Sequence, residues 1–215
     1  MKRIAVLVTL ALAVACPQPS FGFAPVLNRT QIAAAVHSGA TLFRQGRGYQ
    51  APHHVLFAEQ NTLHIRKGEG PVEAILVGTP YERLKYASYL AAFQGRPMGL
   101  RSAQTIARQN ANVLQFVVFA HGNGPRDRDF LRRISSGRLQ LGRSVLRPSS
   151  APVMFGPALD FYQIDGVGRE FRWLGSVTFR FDLSRLPPEG TSGIFSFTDS
   201  QGSLRSYRVD LTRYL

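Results

Sequence analysis

Alternation of apolar and polar side chains in the last third of the chain constrains the fold more than any other feature of the sequence. From Val153 to its end the chain reads as β-structure, and within 176–182 apolar residues stand at every second position. This is the period of a strand buried on one face. Two further strands, over 193–199 and 204–211, are separated by the sequence Ser-Gln-Gly-Ser, which is typical of a hairpin. Strands this closely spaced predict an antiparallel sandwich-like or barrel-like sheet.

The same part of the chain is rich in aromatic residues. Large aromatic side chains dominate the energetics of protein cores, so we expect this set to fill the core of the C-terminal sheet. Its members are Phe155, Phe161, Tyr162, Phe171, Trp173, Phe195, Phe197 and Tyr207.

A helix over 79–95 has the strongest local signal in the sequence. Thr79 is a suitable N-cap, Pro80 occupies the first helical position, and Glu82 stands three residues after the cap. Together they form the pattern of a capping box with proline in its preferred place. Gly95 suits the end of such a helix because glycine adopts left-handed backbone angles without strain.

Two other segments are predicted as helices. The alanine-rich segment 27–42 has Asn28 or Thr30 as a cap, and we expect Gly39 to end it in a left-handed turn. A weaker helical pattern covers 102–111.

The remaining segments predict short strands between these helices. The predicted strands cover 55–57, 63–65, 72–77 and 112–122, followed by a short helix at 128–134 and a strand pair within 138–147. The fold class is therefore α+β, dominated by β-structure at its C-terminal end. No linker rich in glycine or serine divides the chain, which predicts one compact domain over 23–215; two lobes, 23–111 and 112–215, are the alternative.

The N-terminal residues 1–22 are typical of an export signal. Lys2 and Arg3 precede the largely apolar run 4–15, which is too short for a permanent membrane span, and prolines and small residues follow it. No later stretch is long and apolar enough to span a membrane. We therefore expect an exported protein, periplasmic or extracellular, without a transmembrane segment in the mature chain.

Cys16 is the only cysteine of the chain and permits two readings of this signal. Cleavage before Cys16 would leave it as a lipid-bearing first residue, but Ala13 and Pro17 fit that pattern poorly. Cleavage after Gly22 would remove it, and we favour this second reading. In both cases the mature body can form no internal disulfide, so the core alone must stabilise it.

The charge of the chain is strongly positive. The formal net charge is +13, and ten arginines lie between Arg96 and Arg147 against two aspartates. Guanidinium groups bind phosphates and carboxylates through paired hydrogen bonds, so this region is a candidate anion-binding surface. An ordinary solvated surface in an arginine-rich proteome is the alternative. The candidate residues are Arg126, Arg128, Arg132, Arg133, Arg138, Arg143 and Arg147.

The sequence VVFAHGNG (117–124) is the clearest candidate for catalytic chemistry. A buried strand that ends in His121 and Gly122 resembles the oxyanion-hole turn of α/β-hydrolases. That resemblance implies a G-x-S-x-G nucleophile motif and a later histidine. The chain has no such motif, and His121 is its last histidine. A tight turn at a strand end is therefore the interpretation we prefer.

The other histidines suggest a weaker hypothesis of a metal site. His53 and His54 point to opposite faces of a strand, so only one of them can join His64 on one side. Glu59, Glu69 and Glu73 lie nearby in the sequence without the spacing of a known metal site. We therefore predict no metal and no cofactor.

These observations predict an exported, non-catalytic binding or assembly protein with an arginine-rich surface. The expected partner is an anionic lipid, an acidic glycan or an envelope protein. Sequence-specific nucleic-acid binding is not expected, because no recognition module is present. The alternatives are an exported hydrolase of unknown type that uses His121 or the His53/His64 region, and a structural subunit that pairs through an edge of the C-terminal sheet.

Overall fold

The structure, a computed structural model, describes residues 23–46, 48–49, 54–59, 64–184 and 191–214. The predicted export signal, with Cys16, and His53 lie outside the described residues. The described residues form three α-helices: α1 (Arg29–Arg44), α2 (Pro80–Phe93) and α3 (Leu100–Gln109). They also form ten strands: β1 (Val55–Ala58), β2 (His64–Ile65), β3 (Val72–Gly78), β4 (Val113–His121), β5 (Ser135–Leu141), β6 (Ser144–Leu146), β7 (Val153–Ile164), β8 (Gly168–Asp182), β9 (Ser192–Thr198) and β10 (Leu204–Asp210).

The strands form two sheets, which confirms the predicted α+β class. The larger sheet has the order β1-β3-β4-β8-β7-β2, and its neighbours are antiparallel except for β2 and β7. The smaller sheet is antiparallel and has the order β10-β9-β5-β6. Because β3 is hydrogen-bonded to β4, the larger sheet joins segments from both sides of residue 111.

The main core lies between the two sheets. Alternate residues of β4 and β8 face alternate residues of β9, as the period-2 pattern predicts. The rings of Phe116 and Phe195 stack with their centroids 4.0 Å apart, and Phe179 and Phe181 meet Phe195 edge to face. The two sheets therefore form a sandwich-like body with an aromatic core.

A second, smaller core lies among the helices and is joined to the larger sheet by Arg83. The Arg83 side chain on α2 donates hydrogen bonds to Asn110, at the end of α3, and to Gln115 of β4. Burial lowers the pKa of Arg83 to about 10, and the nearby Arg180 adds to this effect. Arg83 thus fixes the helical layer against the sheet.

The N-terminus of α2 departs in one respect from the capping box that the sequence predicts. Thr79 accepts a hydrogen bond from the backbone amide of Glu82, as expected. The Glu82 carboxylate instead lies 3.0 Å from His54 Nε2 and 3.2 Å from Lys85 Nζ, and it accepts a hydrogen bond from Tyr49. Burial opposes ionisation of Glu82, but His54 and Tyr49 outweigh it and hold the pKa of this carboxyl below its usual range. Glu82 therefore ties the segment before β1 to the helical layer.

The structure corrects two sequence-based expectations. Gly39 does not end α1, which continues to Arg44. Three aromatic residues expected in the core are exposed, namely Phe155, Phe161 and Phe171. Tyr162, Phe195 and Phe197 are buried, and Trp173 and Tyr207 are half-buried against the core.

Gly39 lies where α1 and α2 cross closely. A Cβ at this position would lie 2.2 Å from the carbonyl oxygen of Lys85 and 2.9 Å from the Ser88 Cβ. Only a hydrogen fits against the backbone of α2 here, which accounts for a glycine in mid-helix.

Gly39→Ala is expected to destabilise the protein by about 2 kcal/mol, because overpacking at the crossing exceeds the helix-propensity gain of about 1 kcal/mol. Urea unfolding measures the effect. Ala33→Gly, at an exposed position of the same helix, isolates propensity and is expected to cost about 1 kcal/mol. A Gly39→Ala protein more stable than the wild type would contradict the close crossing.

Candidate functional site

The hairpin of β7 and β8 extends beyond the rest of the larger sheet. Strand β4 pairs with β8 only from Leu174 to Asp182, whereas β7 accompanies β8 almost to the hairpin turn. Residues 158–164 and 168–173 therefore form a two-stranded ribbon, to which we refer below as the ribbon. Among the described residues, strand β2 pairs with the ribbon at Gln163 and Ile164.

One face of the ribbon exposes large apolar side chains. Leu159 stands opposite Trp173, and Phe161 stands opposite Phe171. The exposed fractions are 53% for Leu159, 41% for Phe161 and 52% for Phe171. The rings of Phe161 and Phe171 meet edge to face, with their centroids 4.5 Å apart. This face continues the core-facing side of the sheet past the point where the smaller sheet covers it.

Arginines flank this apolar face at both ends. At one end, the Arg128 guanidinium lies over the Trp173 ring, 5.2 Å from its centroid, in a cation–π arrangement. The Trp173 indole donates a 2.7 Å hydrogen bond to the Pro125 carbonyl, which fixes the loop after β4 at this point. At the other end, Arg169 stands opposite Gln163 and is exposed.

The carboxylates of the ribbon strands lie on its opposite face, because side chains alternate across a strand. Asp160 stands opposite Arg172, and Glu170 stands opposite Tyr162. Arg172 Nε lies 2.9 Å from a Glu170 carboxylate oxygen, as an ion pair. The apolar face with its flanking arginines therefore contains no acidic side chain from the two ribbon strands.

The seven arginines predicted to bind anions are all exposed, but they lie in two places. Arg126, Arg128, Arg132 and Arg133 belong to the segment between β4 and β5, whereas Arg138, Arg143 and Arg147 accompany β5 and β6.

Two of the four loop arginines are close to carboxylates. Arg133 donates a 2.6 Å hydrogen bond to Asp127 and holds the pKa of that carboxyl below its usual range. Arg132 lies 3.8 Å from Asp129. Arg128 is the predicted arginine that lies beside the exposed apolar face of the ribbon, over the Trp173 ring.

Two histidines of the hydrolase alternative, His64 and His121, line one small cavity. Glu59, Glu69 and Glu73 also line it, and its volume is about 10 Å³. That volume holds about one water molecule. Among the residues that the structure describes, no serine, threonine or cysteine lines this cavity, and no cluster of three or more ligands is arranged for a metal ion.

The polar groups around this cavity have hydrogen-bond or ion-pair partners within the fold. His121 Nδ1 lies 3.0 Å from the Gly122 carbonyl, and burial lowers the pKa of His121. Tyr162 donates a hydrogen bond to Glu73, and burial raises the pKa of Glu73 to about 7. His64 lies 2.8 Å from Asp165 at the turn of the ribbon. The Tyr162–Glu73 hydrogen bond joins the carboxylate-bearing face of the ribbon to β3, and the His64–Asp165 contact joins the ribbon turn to β2.

The apolar face of the ribbon and Arg169 were missed in the sequence as functional residues. The signal that could have found them is the pattern LDFYQIDGVGREFRW (159–173), in which Asp165 and Gly166 mark a hairpin turn between alternating strands. The sequence alone cannot show which face of that hairpin another layer covers.

No helix within the described part of the chain is long and apolar enough to cross a membrane. Comparison of the chain with protein-family models, with curated proteins and with solved structures gives no significant match.

Proposed function

We propose that this is an exported, non-catalytic binding protein that attaches to anionic lipid surfaces through the apolar face of the ribbon and the arginines beside it. The observation that carries the proposal is the exposed set Leu159, Phe161 and Phe171 between Arg128 and Arg169. Export rests on the signal-like residues 1–22.

The chemistry of this face favours lipid over the other expected partners. Aromatic side chains insert among lipid headgroups, and each nearby Arg adds about 1 kcal/mol of attraction to an anionic leaflet. An acidic glycan would satisfy the arginines but leave Leu159 in water. The ribbon acids Asp160 and Glu170 lie on the other face and do not repel the surface.

Co-sedimentation with lipid vesicles tests this proposal. We expect the protein to bind phosphatidylglycerol-containing vesicles and to bind pure phosphatidylcholine vesicles at least tenfold more weakly. The double variant Phe161→Ser/Phe171→Ser is expected to weaken binding about 30-fold, because each half-exposed ring contributes about 1 kcal/mol when it is buried. The double variant Arg128→Ser/Arg169→Ser is expected to weaken it by a similar factor.

Two control variants test whether vesicle binding depends on this face or on any exposed arginine or apolar side chain. Leu204→Ser removes an exposed apolar side chain from β10 and Arg96→Ser removes an exposed arginine after α2, and neither is expected to change binding more than twofold. Binding that is unchanged in both ribbon variants would overturn the proposal. A stable oligomer or a co-purifying protein, lost when the outer strand β10 is altered, would instead support pairing through a sheet edge.

A further inference from the structure

A cleft on the helical side of the molecule is separate from the ribbon. It lies between residues 26–27, the first turn of α1 and the last turns of α3, and its volume is about 270 Å³. The Asn112 amide donates a 2.7 Å hydrogen bond to the Pro25 carbonyl, which holds the segment before α1 in place. The cleft is therefore bounded by three anchored elements of the fold.

The floor of this cleft is apolar and its rim is cationic. The floor is formed by the buried residues Leu27, Ile32 and Ala107, and Ala111 lies beside them. The small alanines of α3 leave room that a longer side chain would fill. The rim is formed by Val26, Gln104, Arg29 and Arg108, and no carboxylate from the described part of the chain lines the cleft.

Arg29 stands in the first turn of α1, where a positive charge opposes the helix dipole. The first turn of α1 contains no acidic residue, and neither does any other part of α1 or α3. The positive end of α1 and the guanidinium groups of Arg29 and Arg108 all attract an anion beside the apolar floor, and Arg108 offsets the negative end of α3, in whose last turn it lies.

We propose that this cleft binds a free fatty carboxylate of medium chain length. The apolar chain would lie on Leu27, Ile32 and Ala107, and the carboxylate would accept hydrogen bonds from Arg29 and Arg108, whose guanidinium geometry suits a carboxylate. The cleft volume is more than twentyfold that of the cavity beside His121, so the cleft has room for a small organic molecule and not merely a single water. A pocket with an apolar floor and few polar groups at its rim is the usual form of a small-molecule site.

Isothermal titration calorimetry of the whole protein with sodium decanoate, below its micelle concentration, tests this inference. We expect saturable binding at one site, and at least tenfold weaker binding of decanol, which has the same chain without the charge. Arg29→Ser and Arg108→Ser are each expected to weaken decanoate binding about tenfold. Ala111→Leu is expected to abolish it by filling the cleft, provided that the circular dichroism spectrum of the variant is unchanged.

Arg101→Ser is the matched control, because Arg101 is an exposed arginine of α3 outside the cleft. We expect it to change decanoate binding less than twofold. No saturable binding, equal affinities for decanoate and decanol, or equal effects of Arg101→Ser and Arg108→Ser would each overturn the inference. It does not depend on the lipid-surface proposal: the Phe161→Ser/Phe171→Ser variant is expected to bind decanoate normally while losing vesicle binding.

Discussion

Replacing Phe195 with alanine is expected to lower the free energy of unfolding by about 3–5 kcal/mol. Phe195 is fully buried and its ring contacts those of Phe116, Phe179, Phe181 and Phe197, so it joins the smaller sheet to the larger one. Truncation removes the burial of a large apolar side chain and leaves a cavity that the surrounding rings cannot close. Urea unfolding, followed by tryptophan fluorescence and by circular dichroism, measures the loss.

Phe171→Ala provides the matched control. Phe171 belongs to the same aromatic set in the sequence but is 52% exposed. We expect its truncation to change the free energy of unfolding by no more than about 0.5 kcal/mol, as is usual for surface positions. Equal losses in the two variants would show that the smaller sheet does not cover the larger one as described.

The second large expected effect is a pH dependence of stability that arises from Glu73. Burial raises its pKa from 4.5 to about 7, and Asp160 adds to the shift, while the hydrogen bond from Tyr162 opposes it. The folded state therefore binds a proton that the unfolded state releases at lower pH. The stability that protonated Glu73 contributes is fully present below pH 4.5 and is lost as the pH rises to about 7. Its magnitude is about 3 kcal/mol.

Glu73→Gln isolates this contribution, because the amide oxygen still accepts the Tyr162 hydrogen bond but does not titrate. Free energies of unfolding are measured for both proteins between pH 4.5 and 8. Relative to the variant, the wild type is expected to lose about 3 kcal/mol across that interval. His121 acts in the opposite direction, since its pKa is lowered by burial, but its effect is common to both proteins. A pH-independent difference would contradict the buried, protonated state of Glu73.

Local signals predicted the individual elements well. Thr79 and Pro80 begin α2 where the sequence placed its start, and the alternation in 193–199 and 204–211 became the paired strands β9 and β10 within one residue. Such features depend on neighbouring residues along the chain, which is why a sequence contains them. The pairing of β5 with β9 has no local signal, because the two strands are about fifty residues apart in the sequence.

The candidate sites depend on tertiary structure and could not be predicted in full. The apolar alternation of the ribbon was visible, but the sequence did not show that the smaller sheet ends before Phe161 and Phe171. The cleft brings Arg29 and Ile32 of α1 close to Arg108 of α3, and no local sequence pattern predicts that these two helices meet there. Gly39 illustrates the same point: a local rule makes it a helix end, whereas the crossing of α1 and α2 makes it a mid-helix contact.

The position of β5 also determines when the protein can fold during its synthesis. Strand β5 and its partner β6 precede the larger sheet's β7 and β8, yet β5 pairs with β9, whose first residue is Ser192. Until residues 192–210 have left the ribosome, the apolar side of the larger sheet lacks Phe195 and Phe197. The body is therefore expected to fold only after residues 192–210 have been synthesised, and slowly, because its defining pairings join distant parts of the chain.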